Sequence, residues 1–272
     1  MPLYVMKFGG NAIRGKEDTD RFANEVSSLV KEGASIVLVH GGGPEITAEI
    51  EKRGMVTTMV SGFRITDDAV LKVAEEVLKC LNRDVIDSLK KAGVSAKGMA
   101  GYENGTIGCV KKDKVKVKDG NAVTEVDLGL VGEVSTVNTE HIKKMLSEGI
   151  IPVIYPICAG PAGIKMNVNA DTVASGIAAN TGCNELVFIT DVPGILSDVN
   201  DKASKIDNIT LNEIDDMIAS GAISGGMIPK VEACRKAILS GAAAVRMVSG
   251  KDKGPIVSGI MSGSPRGTRI TK

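Results

Sequence analysis

The chain has 272 residues, and its 33 Lys and Arg balance 33 Asp and Glu, which excludes a global field that would draw it to nucleic acid or to an anionic membrane surface. Its five cysteines (Cys80, Cys109, Cys158, Cys183 and Cys234) are scattered and never form a C-x-x-C pair, so they are expected as buried thiols rather than as a disulfide framework or zinc site. No apolar run approaches the length of a membrane span and no leader pattern opens the chain, so a soluble cytoplasmic protein is expected.

In chain order, the apolar run at 3–7 predicts a buried strand that ends in Lys7-Phe8-Gly9-Gly10-Asn11. A helix at 17–32 follows. A second strand at 36–40 runs into His40-Gly41-Gly42-Gly43-Pro44 and a helix at 44–53. Residues 54–66 read as a β-hairpin carrying Gly62-Phe63-Arg64, and Thr66-Asp67 caps a long helix at 67–91 with Val70, Val73, Val77, Leu81 and Val85 at helical spacing. Residues 105–135 read as a second, solvated hairpin, with Lys111, Lys112, Lys114, Lys116 and Lys118 around Val115 and Val117. A helix is predicted at 138–148 and a strand at 150–154. Residues 165–170 alternate in strand fashion before a helix at 171–181. A fully apolar strand at 186–190 leads into Thr190-Asp191-Val192-Pro193-Gly194, and helices at 211–220 and 229–241 precede a weaker strand at 244–248. Helices alternating with buried strands imply a mainly parallel sheet covered on both sides, in one compact unit that divides near residue 175.

The chemistry-bearing residues sit where strands end. A strand that stops in glycines and starts a helix leaves backbone N–H groups bare at the positive end of a helix dipole. Two such junctions, one with Lys7, point to anions and most simply to phosphates. Neither matches G-x-G-x-x-G or G-x-x-x-x-G-K-[ST], so a Rossmann dinucleotide site and a P-loop are both unsupported. His40 reads as a packed strand-end histidine. Arg64 has the geometry to grip a carboxylate in bidentate fashion. Asn167 and Asn169 share one strand face and precede Asp171, a grouping suited to binding a polar substrate while the aspartate holds lysines. Gly225-Gly226-Met227-Ile228-Pro229-Lys230 repeats the glycine-to-helix design with a second lysine.

Taken in this order, the motifs resemble the amino-acid kinase family, and within it the members that phosphorylate N-acetyl-L-glutamate. The most specific pieces are His40-Gly41-Gly42-Gly43-Pro44, Asn167-Val168-Asn169-Ala170-Asp171 and Gly226-Met227-Ile228-Pro229-Lys230. The resemblance implies a three-layer α/β/α sandwich around a mainly parallel sheet. It also implies phosphoryl transfer from MgATP to the side-chain carboxylate of N-acetyl-L-glutamate, a step of arginine biosynthesis. It makes Lys7 and Lys230 the cations on the transferring group and Asp171 the residue orienting both. Gly42, Gly43, Arg64, Asn167 and Asn169 would hold the acyl amino acid, with Arg64 on its α-carboxylate. Gly9, Gly10, Asp191, Gly194, Gly226 and Met227 would contact the nucleotide. Mg2+ would arrive on the ATP phosphates, with no protein metal site. One kinase domain, 1–272, would divide into an N-terminal lobe (1–175) for acyl-amino-acid binding and dimerisation and a C-terminal nucleotide lobe (176–272). The hairpin 54–66 would close over substrate, and a homodimer would form through helix 67–91. Two rivals are a kinase acting on carrier-protein-bound aminoadipate or glutamate, and a non-catalytic amino-acid sensor on the same fold. The sensor predicts loss of Lys7, Asp171 or Lys230, and all three are present.

Overall fold

Successive side chains of a strand point to opposite faces, so a strand that is apolar at every position must be covered on both sides. A computed structural model, describing residues 1–10, 12–13, 15–119, 122–198, 200–251, 255–261 and 266–272, shows this arrangement. Its first half contains β1 (Leu3–Phe8), α1 (Gly15–Lys31), β2 (Ser35–His40), α2 (Gly43–Lys52), the short pair β3 (Met59–Val60) and β4 (Phe63–Arg64), α3 (Asp68–Lys91), β5 (Ala96–Ala100), β6 (Ile107–Lys111), β7 (Val115–Asp119), β8 (Ala122–Val126) and β9 (Val131–Val137). Then come α4 (Glu140–Ser147), β10 (Ile151–Tyr155), β11 (Ile157–Ala159), β12 (Lys165–Val168), α5 (Ala170–Thr181), β13 (Glu185–Thr190), β14 (Asn208–Thr210), α6 (Leu211–Ala219), α7 (Ile228–Leu239), β15 (Val245–Ser249) and β16 (Thr268–Thr271).

Among the described residues the central sheet has the order β14-β16-β15-β13-β1-β2-β10-β5, parallel throughout except where β15 meets β16. Val5, Val37, Leu186 and Phe188 pack on one face with α4, α5, α6 and α7. Tyr4, Met6, Ile36, Leu38, Val187 and Ile189 pack on the other with Phe22, Val26 and Leu29 of α1 and Val85 and Leu89 of α3. The three-layer α/β/α sandwich read from the sequence follows directly from this alternation.

Element boundaries agree with the sequence reading to within two residues for the seven predicted helices and the five predicted strands of the central sheet. The second hairpin needs correction. Residues 105–135 hold two nested pairs: β7 and β8 form an outer hairpin, whereas β6 and β9 pair with each other and close a small barrel with β11 and β12. The barrel interior holds Ile107, Cys109, Cys158 and Met166, so the stem is core and only the tip is solvated. Strand β5 gives little apolar signal because Gly98 lies against α3. A Cβ there would stand 1.8 Å from Asn82 Oδ1, so the close approach of helix and strand requires glycine. Four of the cysteines are buried as expected, while Cys80 is exposed on α3.

Two buried polar groups tie the sandwich together. Glu185, at the start of β13, accepts from Arg246 Nε at 2.9 Å and Nη2 at 3.1 Å, and from Arg269 Nε at 3.1 Å, linking β13, β15 and β16. His40 is enclosed: Asn82 Nδ2 lies 3.0 Å from its Nε2, and its Nδ1 lies 3.0 Å from the Gly41 carbonyl. That pairing fits a neutral ring donating from Nδ1, and burial lowers its pKa to about 4 from the ordinary 6.5. A depressed histidine contributes stability above its unfolded pKa and loses it as pH falls. Between pH 6.5 and 4 the chain is expected to lose about 3 kcal/mol through this group, and a His40→Gln variant should lose less over that interval by urea unfolding. Equal losses would remove His40 from the acid response. Glu185→Ala leaves the buried Arg246 without its carboxylate and should cost about 3–5 kcal/mol. A thermal midpoint within a degree of wild type would contradict that role.

Candidate active site

The carboxyl ends of β1, β2 and β13 lie side by side, and each carries one of the expected motifs. On β1, Leu3, Val5 and Lys7 share the face turned toward α5, so Lys7 emerges at the strand end above the first turn of that helix. There its Nζ meets Asp171 Oδ1 at 2.9 Å, with the two side chains 18% and 35% exposed. Asn169 is the N-cap of α5: its Oδ1 accepts from Asp171 N at 2.7 Å and Thr172 N at 3.3 Å. The two glycine turns press together, with Gly41 N donating to the Phe8 carbonyl at 3.0 Å. Gly9 has φ +144°, and a Cβ on it would lie 2.9 Å from Gly41 N, so this contact leaves no room for a side chain.

A cavity of about 250 Å³ opens beside Lys7 and Asp171 and reaches Gly42, Gly43, Arg64, Asn167 and Asn169. Arg64, 6% exposed, lines this cavity. Thr57 Oγ1 accepts from Arg64 Nη1 at 2.7 Å, and Thr47 Oγ1 and the Gly43 carbonyl accept from Nη2 at 2.6 and 3.1 Å. All these partners are neutral, and among the described residues no carboxylate pairs with the guanidinium. Burial lowers the Arg64 pKa, yet arginine stays protonated in proteins, so the cavity contains a largely dehydrated positive charge. Asn167 Nδ2 approaches Thr66 Oγ1 at 3.4 Å. Apolar side chains of Met59 and Phe63, from the β3–β4 hairpin, line the same cavity. The turn of that hairpin has positive φ at both Ser61 (49°) and Gly62 (82°), the twist that a two-residue connection favours.

A second cavity, about 270 Å³, adjoins the first and shares Lys7 and Asp171 with it. It extends toward Gly9, Asp191 and Lys230. Lys230, in the first turn of α7, makes a short ion pair with Asp191 Oδ1. Lys230 is the main cause that holds the Asp191 carboxyl below its usual range, and the charge of Lys251 adds to it. The two lysines thus face one cleft from different elements, each with its own aspartate. In this structure Asp171 contacts Lys7 and Asp191 takes Lys230, and Asp171 and Lys230 line the same cavity.

Not every expected residue lines the cleft. Gly194 (φ +138°) sits under the loop after β13, where Thr268 Oγ1 accepts from Ile195 N at 2.8 Å. Gly226 and Met227 form the turn leading into α7 and lie outside both cavities. Gly10 lines the first cavity beside Lys7; Asn11 falls outside the described residues. Sequence reasoning missed Thr47 and Thr57, which fix Arg64. Thr47 stands four residues after Gly43 on α2, a spacing that places it above the glycine turn, but nothing in the sequence pairs Thr57 with Arg64. Among the described residues, no three His, Cys, Asp or Glu side chains gather as metal ligands, and no helix is long and apolar enough to cross a membrane.

Comparison with known proteins agrees with this geometry. A sequence model described as the amino acid kinase family matches residues 2–249. The chain is 38% identical over 272 residues to an acetylglutamate kinase of Methanocaldococcus jannaschii, covering 99% of this chain and 90% of the relative. It is 36% identical over 270 residues to an acetylglutamate kinase of Methanococcus maripaludis strain C6, covering 99% and 92%. Among solved structures, smu.665 from Streptococcus mutans superposes with a TM-score of 0.73 at 24% identity, over 99% of this chain and 98% of that one. The two glycine turns, the lysines facing one cleft and the match along nearly the whole sequence agree, and the chain belongs to the amino acid kinase family.

Proposed function

We propose that the protein transfers the γ-phosphoryl group of MgATP to the side-chain carboxylate of N-acetyl-L-glutamate, the activity for which its relatives are named, as a step of arginine biosynthesis. The observation that carries this reading is that two cavities share Lys7 and Asp171, one of them lined by a buried arginine that no carboxylate among the described residues neutralises. A substrate α-carboxylate on Arg64 would supply the missing charge. The acetyl group would lie against the apolar side chains of the hairpin, which closes over it, and Asn167 and Asn169 would hold the polar parts. The side-chain carboxylate then points to Lys7.

The nucleotide would occupy the second cavity, with Asp191, Gly194, Gly226 and Met227 on its side of the cleft and Mg2+ carried on its phosphates. The acceptor oxygen attacks the γ-phosphorus, the bond to the β–γ bridging oxygen breaks, and ADP leaves. A carboxylate is ionised at neutral pH, so no general base is required. In such a loose transition state, positioning and charge stabilisation dominate. Lys7 and Lys230 would spread positive charge over the moving group, while the N–H groups of Gly10 and Gly43 donate to it. Residues 1–175 would form the acceptor lobe and 176–272 the nucleotide lobe. The chain would act as a cytoplasmic homodimer through α3, which light scattering on the purified protein tests.

Lys7→Ala and Lys230→Ala should each lower turnover by about 10²–10³, the scale for removing one preorganised donor. Near-wild-type turnover in both contradicts the assignment. Arg64→Ala should raise KM for the acceptor about 10- to 100-fold, the scale of a lost charge-assisted pair, and leave KM for ATP close to unchanged. Hydroxylamine trapping of the acyl phosphate, with N-acetylglutamate, glutamate, aspartate and a carrier-linked substrate offered separately, should give hydroxamate with N-acetylglutamate. Product from the carrier-linked substrate alone would assign the carrier-dependent reaction, and product from none would assign a sensor.

A further inference from the structure

Among the described residues the buried arginines are Arg64 and Arg246, and their surroundings differ in one respect. Arg246 meets a buried carboxylate, because both oxygens of Glu185 accept from it. Arg64 meets none among the described residues. Its hydrogen bonds run to the hydroxyl oxygens of Thr57 and Thr47 and to the Gly43 carbonyl. A buried cation without a counter-ion is costly. The arginine between strands of the sheet has its carboxylate, and the one that lacks it lines a cavity.

The two threonines come from different elements. Thr47 lies on α2, where its hydroxyl donates to the Gly43 carbonyl at 3.0 Å and accepts from Arg64. Thr57 is half-buried in the loop between α2 and β3. The next residue, Thr58, closes the β3–β4 hairpin by accepting from Ile65 N at 2.9 Å. The guanidinium is thus held by a helix and by the base of the hairpin. A hydroxyl oxygen fixes its position without cancelling its charge, whereas an aspartate in the same place would do both.

We propose that Thr47 and Thr57 set the acceptor specificity of this cavity: they hold Arg64 in place yet leave its charge unmet, so binding requires a free α-carboxylate. Both are positioning residues that act through Arg64, and the inference rests on the acceptor assignment made above. An acceptor whose α-carboxylate is blocked as an amide leaves the buried charge without a partner. A site with an unpaired buried group rejects such an analogue strongly. The ligand-free protein carries the cost of that charge, and a carboxylate supplied from position 57 would relieve it while competing with the substrate.

The test compares Thr57→Asp with Thr57→Asn, two side chains of the same shape that differ in charge. Without ligand, Thr57→Asp should melt about 2–4 °C above Thr57→Asn. Hydroxamate formation is then measured with N-acetylglutamate and with its α-amide. Thr57→Asn should prefer the free acid by about 100-fold or more in kcat/KM. In Thr57→Asp that preference should be at least tenfold smaller, through a raised KM for the free acid. Thr47→Val should have a higher KM for N-acetylglutamate than Thr47→Ser, which keeps the hydroxyl. Equal preference in the two Thr57 variants, no difference in their melting, or equal KM in the two Thr47 variants would overturn the proposal. The melting comparison needs no substrate. Absence of product from the wild-type protein with N-acetylglutamate would overturn the acceptor assignment itself, so the two failures are distinguishable.

Discussion

The structure depends on one half-buried ion pair, Lys7 with Asp171, placed where a strand of the central sheet ends above the start of a helix. A fully exposed pair of this kind would contribute little. Here the ammonium lies beside bare glycine amides and the carboxylate lies in the first turn of α5, where the helix dipole favours negative charge. The aspartate keeps the lysine compensated while it fixes the position of the ammonium. That fixed charge lines both cavities.

Parallel strand order brings the remaining groups to this point. β1 lies between β2 and β13, and its Lys7 is in register with Val39 and Phe188. The same register sets the Gly41–Gly43 turn and Asp191 on either side of Lys7, although they are separated by about 150 residues in sequence. Helices α2, α5 and α7 all begin at this edge, so the positive ends of their dipoles gather there. The chain thus assembles a positive surface without an excess of basic residues. This accounts for a charge-neutral protein with a site suited to phosphates.

Much of this was legible in the sequence because the signals were local. Glycines after an apolar run mark a strand end, and alternation of Val5, Met6, Val37 and Leu38 between faces marks a covered strand. The barrel was not legible: β6 and β9 enclose a hairpin whose lysines dominate the composition, and their pairing with β11 and β12 is long-range. Gly98 hid β5 for a similar reason, since its requirement comes from Asn82 on another element. In the site, Lys7, Arg64 and Asp171 could be found from motif and resemblance. The contact of Lys230 with Asp191 could not, because it depends on how α7 sits against the end of β13.

The most direct test of the account is a crystal structure of the protein with N-acetylglutamate and a non-hydrolysable ATP analogue. The account predicts that the ammonium groups of Lys7 and Lys230 both lie within about 3 Å of the γ-phosphoryl oxygens, with the acceptor α-carboxylate on Arg64. Lys230 remaining on Asp191 and out of reach of the phosphates, in a complex with both ligands bound, would contradict it.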